Sequence, residues 1–338
     1  MSVLDVEQLL QPVSAESPCG EDLEYDQVFI EMSRDLEGKP EQQMGDEIIE
    51  AQGPDWKSVR GKALDLMTRT KDLRVCVALT RAVLGTDGLV GLGDGMALLR
   101  GLIDRHWDGF HPKLDPDDWN DPTMRMNILS ALCDQDTVLR NIRESTLVES
   151  KALGRFSLKD IEIATGQIAA PAGGESPDMA AIDGAFLDCD LEALQATAGA
   201  VSGSLQQVSA IDAALMANEQ VGQTRAPDLS ALPKVLKAAK QILDEQLARR
   251  GVGVAPAAEG QAAPGAPQPI AGEVNTREDV IRVLDKACDY FSRHEPSSPV
   301  PLLLRRAKRL VSKDFMDIMQ DIAPDGVKQI QTIAGTEE

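Results

Sequence analysis

Residues 106–132, HWDGFHPKLDPDDWNDPTMRMNILSAL, gather two histidines, five aspartates and two tryptophans into one short span. Those residue types could bind a metal or run acid–base chemistry, so their spacing decides. His106 and His111 are five apart and on one helix would point roughly 140° away from each other. The i,i+4 histidine pair of a zinc protease helix is absent, as is the glutamate beside the first histidine. A calcium loop counted from Asp115 has Asp117 in third place. It then fails at Trp119, at Asn120 where the turn glycine belongs, and at Met126 where a bidentate glutamate belongs.

The same stretch makes better sense as helix punctuation. Asp-Pro occurs at Asp115-Pro116 and Asp121-Pro122. An aspartate N-cap followed by proline in the first helical position opens a helix without strain, and acids in the first turn oppose the helix dipole. The expected outcome is a short turn after Asp115, a helix over TMRMNILSALCD, and Trp107, Phe110 and Trp119 packed between helices. A metal-assisted hydrolase built on His106, His111 and the aspartates stands as the alternative.

Other chemical templates are equally incomplete. With three histidines in the chain, no GxSxG or papain-like cysteine segment supplies a nucleophile. GTDGLVGLGDG (85–95) lacks the Lys-Ser/Thr of a P-loop and reads as an interhelical loop. CGEDLEYD (19–26) clusters Glu21, Asp22, Glu24 and Asp26, which read as the solvated start of a helix, with a general acid/base pair as the alternative. The five cysteines are spread along the chain and never fall within CxxC reach, which fits reduced thiols. No catalytic residue, cofactor site or metal site is expected.

The elements that must position these residues are helical. Aromatics are 3% of the chain, whereas Leu, Ala, Met and Ile abound, so we expect an all-α, multi-domain arrangement of helical bundles. DWKSVRGKALDLMTRT (55–70) sets Val59, Ala63, Leu66 and Met67 on one face behind an Asp55 cap. DLRVCVALTRAVLG (72–85) is apolar around most of its circumference, with Gly85 as its C-terminal cap. Residues 251–272 are Ala/Pro/Gly-rich and read as a flexible linker. The expected division is 1–164, a middle helical piece over 165–250, a linker over 251–275 and a C-terminal helical domain over 276–338.

Net charge is −21, which opposes binding to nucleic acid or to anionic lipid. MSVLDVEQLLQPVS lacks the basic and apolar regions of a secretory signal, and no run approaches a membrane span, so a cytoplasmic protein without membrane insertion is expected.

The C-terminal piece carries the expected interface. Its sixty or so residues make a small core. Thr276 and Ser298 are placed as helix caps, and Val280, Leu284, Ala287 and Phe291 as one buried face. Leu302, Leu303 and Leu304 stand together, and Phe315 and Met319 follow, more apolar surface than such a domain can hide. Arg305, Arg306, Lys308, Arg309 and Lys313 form a basic set within an acidic chain, suited to orienting one subunit on another.

In order, CGEDLEYD, GKPEQQMGD, PDW, TRTKDLRVCVALTRAVLGTDGLVGLGDGMALLRGLID, HPKLDPDDWNDPTMRMN and GRFSLKDIEIA resemble the ImpA N-terminal domain of the TssA family of the bacterial type VI secretion system. Gln27 departs from the proline expected after Asp26. HEPSSPVPLLLRRAKRLVSKDFMDIMQDIAPDG (294–326) resembles the end of the shorter class of that family. The resemblance implies a non-enzymatic scaffold whose C-terminal domain forms a homo-oligomeric ring. Its implied partners are baseplate, tube and sheath proteins, at a machine docked on the inner membrane.

Overall fold

The computed structural model describes residues 2–39, 42–44, 47–49, 51–170, 176–252, 281, 284, 287, 288 and 300–310. Contacts divide the chain into Met1–Ala257 and Ala258–Glu338. The expected boundary between 164 and 165 is therefore not a boundary in packing. The segment around 165–177 is a connection inside the first unit.

The first unit is overwhelmingly helical. Its N-terminal part comprises α1 (Val6–Leu9), α2 (Gln27–Glu37), α3 (Trp56–Arg69) and α4 (Leu73–His106). A short antiparallel pair, β1 (Gln42–Met44) and β2 (Glu47–Ile49), lies between α2 and α3. Aspartates start these helices, Asp55 as the sequence predicts. Asp26, Asp55 and Asp72 accept from the main-chain N–H of Val28, Ser58 and Arg74. Val59, Ala63, Leu66 and Met67 of α3 are all fully buried.

Helix α4 is two arms folded on each other. Gly88 breaks it with φ 64° and ψ −144°, a conformation that a Cβ would oppose. The arms then run back along one another, because the Thr80 hydroxyl donates to the Gly95 carbonyl at 3.2 Å. A Cβ on Gly95 would fall 2.8 Å from the Thr80 side chain, so only glycine lets the arms approach this closely. The expected loop over 85–95 is thus a single-residue reversal, and the helix passes through Gly85 instead of ending there. Taken end to end, Leu73–His106 is long and apolar enough to cross a membrane, contrary to the expectation of no such run. Its apolar faces are instead buried, many residues completely, against its neighbours in the core.

Beyond α4 come a 3-10 turn (Pro116–Asp118), α5 (Thr123–Ser130), a second 3-10 turn (Ala131–Cys133), a π turn (Gln135–Leu139) and α6 (Arg140–Glu144). A β-hairpin, β3 (Thr146–Ser150) with β4 (Gly154–Ser157), leads through a Ser157/Asp160 capping box into α7 (Leu158–Ala164). Helices α8 (Met179–Asp188), α9 (Leu191–Ala217), α10 (Gly222–Arg225) and α11 (Ala231–Arg249) complete the unit. Helix α9 lies against the second arm of α4: Gly93 faces Ala200, and Arg100 donates to the Ala210 carbonyl. That packing joins the middle helices to the N-terminal ones in one core.

In the second unit the described continuous helix is α12 (Val300–Leu310). Val280, Phe291, Phe315 and Met319, with the expected caps Thr276 and Ser298, lie outside the described residues.

Candidate functional site

The acidic and histidine motifs converge where α3 ends and α4 begins. Thr70 pairs with Gly20, and Asp72 pairs with His111, so three separate stretches meet edge to edge. The Lys71 N–H donates to the Cys19 carbonyl at 2.7 Å, and the His111 N–H donates to the Lys71 carbonyl at 2.9 Å. The Thr70 hydroxyl donates to the Glu21 carbonyl at 2.7 Å. CGEDLEYD, TRTKDLR and HPKLD are therefore one structural knot.

Its charges are matched within it. Arg74 lies over the Phe29 ring at 4.8 Å and reaches Asp72 at 2.7 Å, Glu24 at 2.9 Å and Asp22 at 3.1 Å. Burial opposes that cation, but the three carboxylates outweigh it and drive the guanidinium pKa upward. Asp26 pairs with Arg69 at 2.5 Å, and this hydrogen bond holds the carboxyl below its ordinary range. Three of the four acids expected to be a solvated helix start are thus held by arginines.

Lys71 is the least expected member. It is 2% exposed, and its Nζ donates to the carbonyls of Leu9 at 2.7 Å and Met67 at 2.9 Å. No carboxylate answers it among the described residues; burial pulls its pKa down. The ammonium instead serves the last turns of α1 and α3, whose C-terminal carbonyls carry partial negative charge. Sequence reading missed it because a lysine between two helices looks like surface.

The histidines are engaged in the same way. His106 Nε2 lies 2.9 Å from the Leu10 carbonyl and so donates to it, leaving Nδ1 to face the Cys19 thiol at 3.7 Å. His111 Nε2 donates to the Gly20 carbonyl at 3.3 Å, and its Nδ1 stands 3.7 Å from Asp22. Burial raises the Cys19 pKa, which keeps the thiol protonated and unreactive. A cavity of about 550 Å³ borders Cys19, His106, Arg105 and Lys113. Among the described residues, no three metal-binding side chains gather.

Arg125 organises the rest of the 106–132 stretch. The residue is 1% exposed. It donates to the carbonyls of Trp107 at 2.6 Å, Phe110 at 2.9 Å and Pro112 at 2.9 Å. Its guanidinium lies 4.0 Å over Phe110 and 4.9 Å over Trp107, and desolvation takes its pKa down to about 10. Trp107 meets Phe110 edge-on at 5.6 Å and donates to Gln220 at 2.8 Å. The expectation for Trp107 and Phe110 holds.

Trp119 lies elsewhere. It is 91% exposed, not packed between helices. The Asp115 cap works as expected, accepting from the Asp117 N–H at 2.9 Å, but it opens only a three-residue turn. Trp119 ends that turn at φ 55°, and Asn120 follows at φ 53°. A left-handed tryptophan costs about 1 kcal/mol and points its ring away from the turn it terminates. The second Asp-Pro is shifted by one: Pro122 precedes the helix, which begins at Thr123.

In α12, Leu302 and Leu303 are 69% and 66% exposed, Leu304 is half-buried, and Arg305 and Arg306 are exposed. Leu302 shares one helix face with Arg305 and Arg306 at i+3 and i+4. Of the other expected interface residues, the Arg309 side chain, Phe315 and Met319 lie outside the described residues.

Comparison with known proteins places this arrangement. Residues 10–134 match the model of a family described as ImpA, N-terminal, type VI secretion system. Over 351 aligned positions the chain is 42% identical to the type VI secretion system component TssA1 of Pseudomonas aeruginosa, covering 99% of each. The chain belongs to the TssA family. The family-model match takes in the whole knot, from Leu10 to Asp134, whereas α9 and α11 of this TssA-family chain lie beyond it. A solved N-terminal domain of the TssA component from Burkholderia cenocepacia shares the fold, with TM-score 0.58 at 24% identity. The alignment covers 74% of this chain and 96% of that one. The protein is a type VI secretion system component.

Proposed function

We propose that this component is a non-enzymatic scaffold: its second unit assembles a homo-oligomeric ring, and the first unit organises baseplate, tail tube and sheath proteins around it. The observation that carries the reading is α12, where exposed Leu302 and Leu303 stand beside exposed Arg305 and Arg306. Paired leucines held in water favour burial against another copy, and adjacent cations fix the orientation of that contact. The non-enzymatic part draws support from the knot, whose histidines and arginines are committed to main-chain carbonyls and internal ion pairs. Cytoplasmic placement beside the inner-membrane-docked machine belongs to the same proposal, as does recruitment by many linked first units acting through avidity.

Sedimentation velocity on R305E/R306E and on L302D/L303D tests the ring. Both variants should fall from a discrete large oligomer to small species while the first unit keeps its melting temperature. Wild-type sedimentation by both would remove α12 from the assembly.

A further inference from the structure

The one tryptophan of the 106–132 stretch that leaves the core is built to leave it. Trp107 and Phe110 find places around Arg125, so the neighbouring core accepts aromatic rings. Trp119 is instead held out on a turn whose backbone is closed by several bonds. Asn120 and Asp118 donate to the Asp115 carbonyl at 2.8 and 3.1 Å, and Asp121 donates to the Asp118 carbonyl at 3.0 Å. Arg225 of α10 anchors the far side through Asp121 at 3.4 Å. Met124, 61% exposed in the first turn of α5, adds a second apolar side chain.

We propose that Trp119, with exposed Met124 five residues further along the chain, is a docking knob for a partner protein that offers an apolar pocket rimmed by lysine or arginine. The rim chemistry follows from charge complementarity. Asp117 and Asp118 precede the indole directly, both are exposed, and neither has a lysine or arginine in ion-pair range among the described residues. Acids so placed repel phosphate, which disfavours nucleic acid and anionic lipid as occupants and favours a basic protein surface. The pocket follows from the ring, since a tryptophan held on a closed turn gives much contact area for little conformational entropy, and tryptophan is enriched among interface anchors. This inference goes beyond the ring and does not depend on it.

The test uses full-length protein in cells that assemble the machine. Trp119→p-benzoylphenylalanine should cross-link on irradiation to another protein, at a site lined by apolar residues and bordered by Lys or Arg. That partner, purified, is then titrated with wild type and variants. W119G removes the ring and relieves the left-handed backbone, so it should fold at least as well as wild type yet bind about 30-fold more weakly. D117K/D118K should weaken binding and flatten its salt dependence. L187A, which truncates an exposed leucine on α8, should bind as wild type does. Light scattering on W119G should give the wild-type mass, separating this contact from the ring. No cross-link, a cross-link only to a second copy of this chain or to lipid, or W119G affinity within threefold of wild type would overturn the proposal.

Discussion

Arg125 and Arg305 are the same residue type put to opposite uses. Arg125 is buried, gives its donors to three carbonyls of one loop and spreads its face over two aromatic rings. Arg305 stands in water on a short helix beside exposed leucines. The first unit uses its charges to hold irregular backbone in place, where an unpaired buried carbonyl would otherwise be costly. Helix α12 displays charge and apolar surface together, an arrangement that stabilises something only when a second surface covers it. Residue type alone therefore assigns nothing; direction does.

The largest break in that contrast should come from Arg125→Ala. One buried and two partly buried carbonyls lose their donor and two rings lose their cover, a loss on the order of 3 kcal/mol. Denaturant unfolding of residues 1–252 should show it, while the oligomer formed by full-length protein that still folds should keep its mass. A loss under 1 kcal/mol would mean that the loop stands without its arginine.

Lys71→Met comes next. Methionine fills similar space but cannot serve the Leu9 and Met67 carbonyls, so about 2 kcal/mol should go. Because burial lowers the Lys71 pKa, the folded state binds its proton less readily than the unfolded one. Its contribution therefore rises with pH between the lowered value and the ordinary 10.5, and K71M should remove that rise. A stability equal to wild type at pH 7 would show that the ammonium is dispensable.

The smallest effect concerns surface carboxylates. Asp26, Asp35 and Asp134 sit below the ordinary value of 3.8, held there chiefly by hydrogen bonds from Arg69, Lys62 and Thr137. With folded values depressed, their support is complete above 3.8 and drains away as pH falls through the lowered values. Calorimetry of residues 1–252 should show a melting temperature that falls below pH 4, and D35N should fall less steeply. Parallel curves for the two proteins would remove Asp35 from the account.

Much of this fold was legible in the sequence because its signals are local. Asp55 and Asp115 cap their helical turns as their positions suggest, and the apolar spacing of α3 names its buried face. What escaped was set by contacts distant in sequence. Nothing near Lys71 announces that two helix ends will close over it. The glycines of 85–95 signal a loop to a local reading, whereas Gly88 makes the reversal and Gly95 makes room for Thr80 across the hairpin. The Ala/Gly/Pro content of 165–177 signals a domain boundary to a local reading, whereas α9 packs on α4 across it. Trp119 was placed in the core by its hydrophobicity, but the Asp-Pro turn before it dictates a left-handed exit that turns the ring outward.

The measurement that bears most directly on the division between the two units is light scattering after size exclusion, on the full-length protein and on residues 1–252. A large discrete oligomer is expected for the full chain and a small, folded species for the truncated one. A full-length monomer, or an equally large oligomer without residues 253–338, would contradict it.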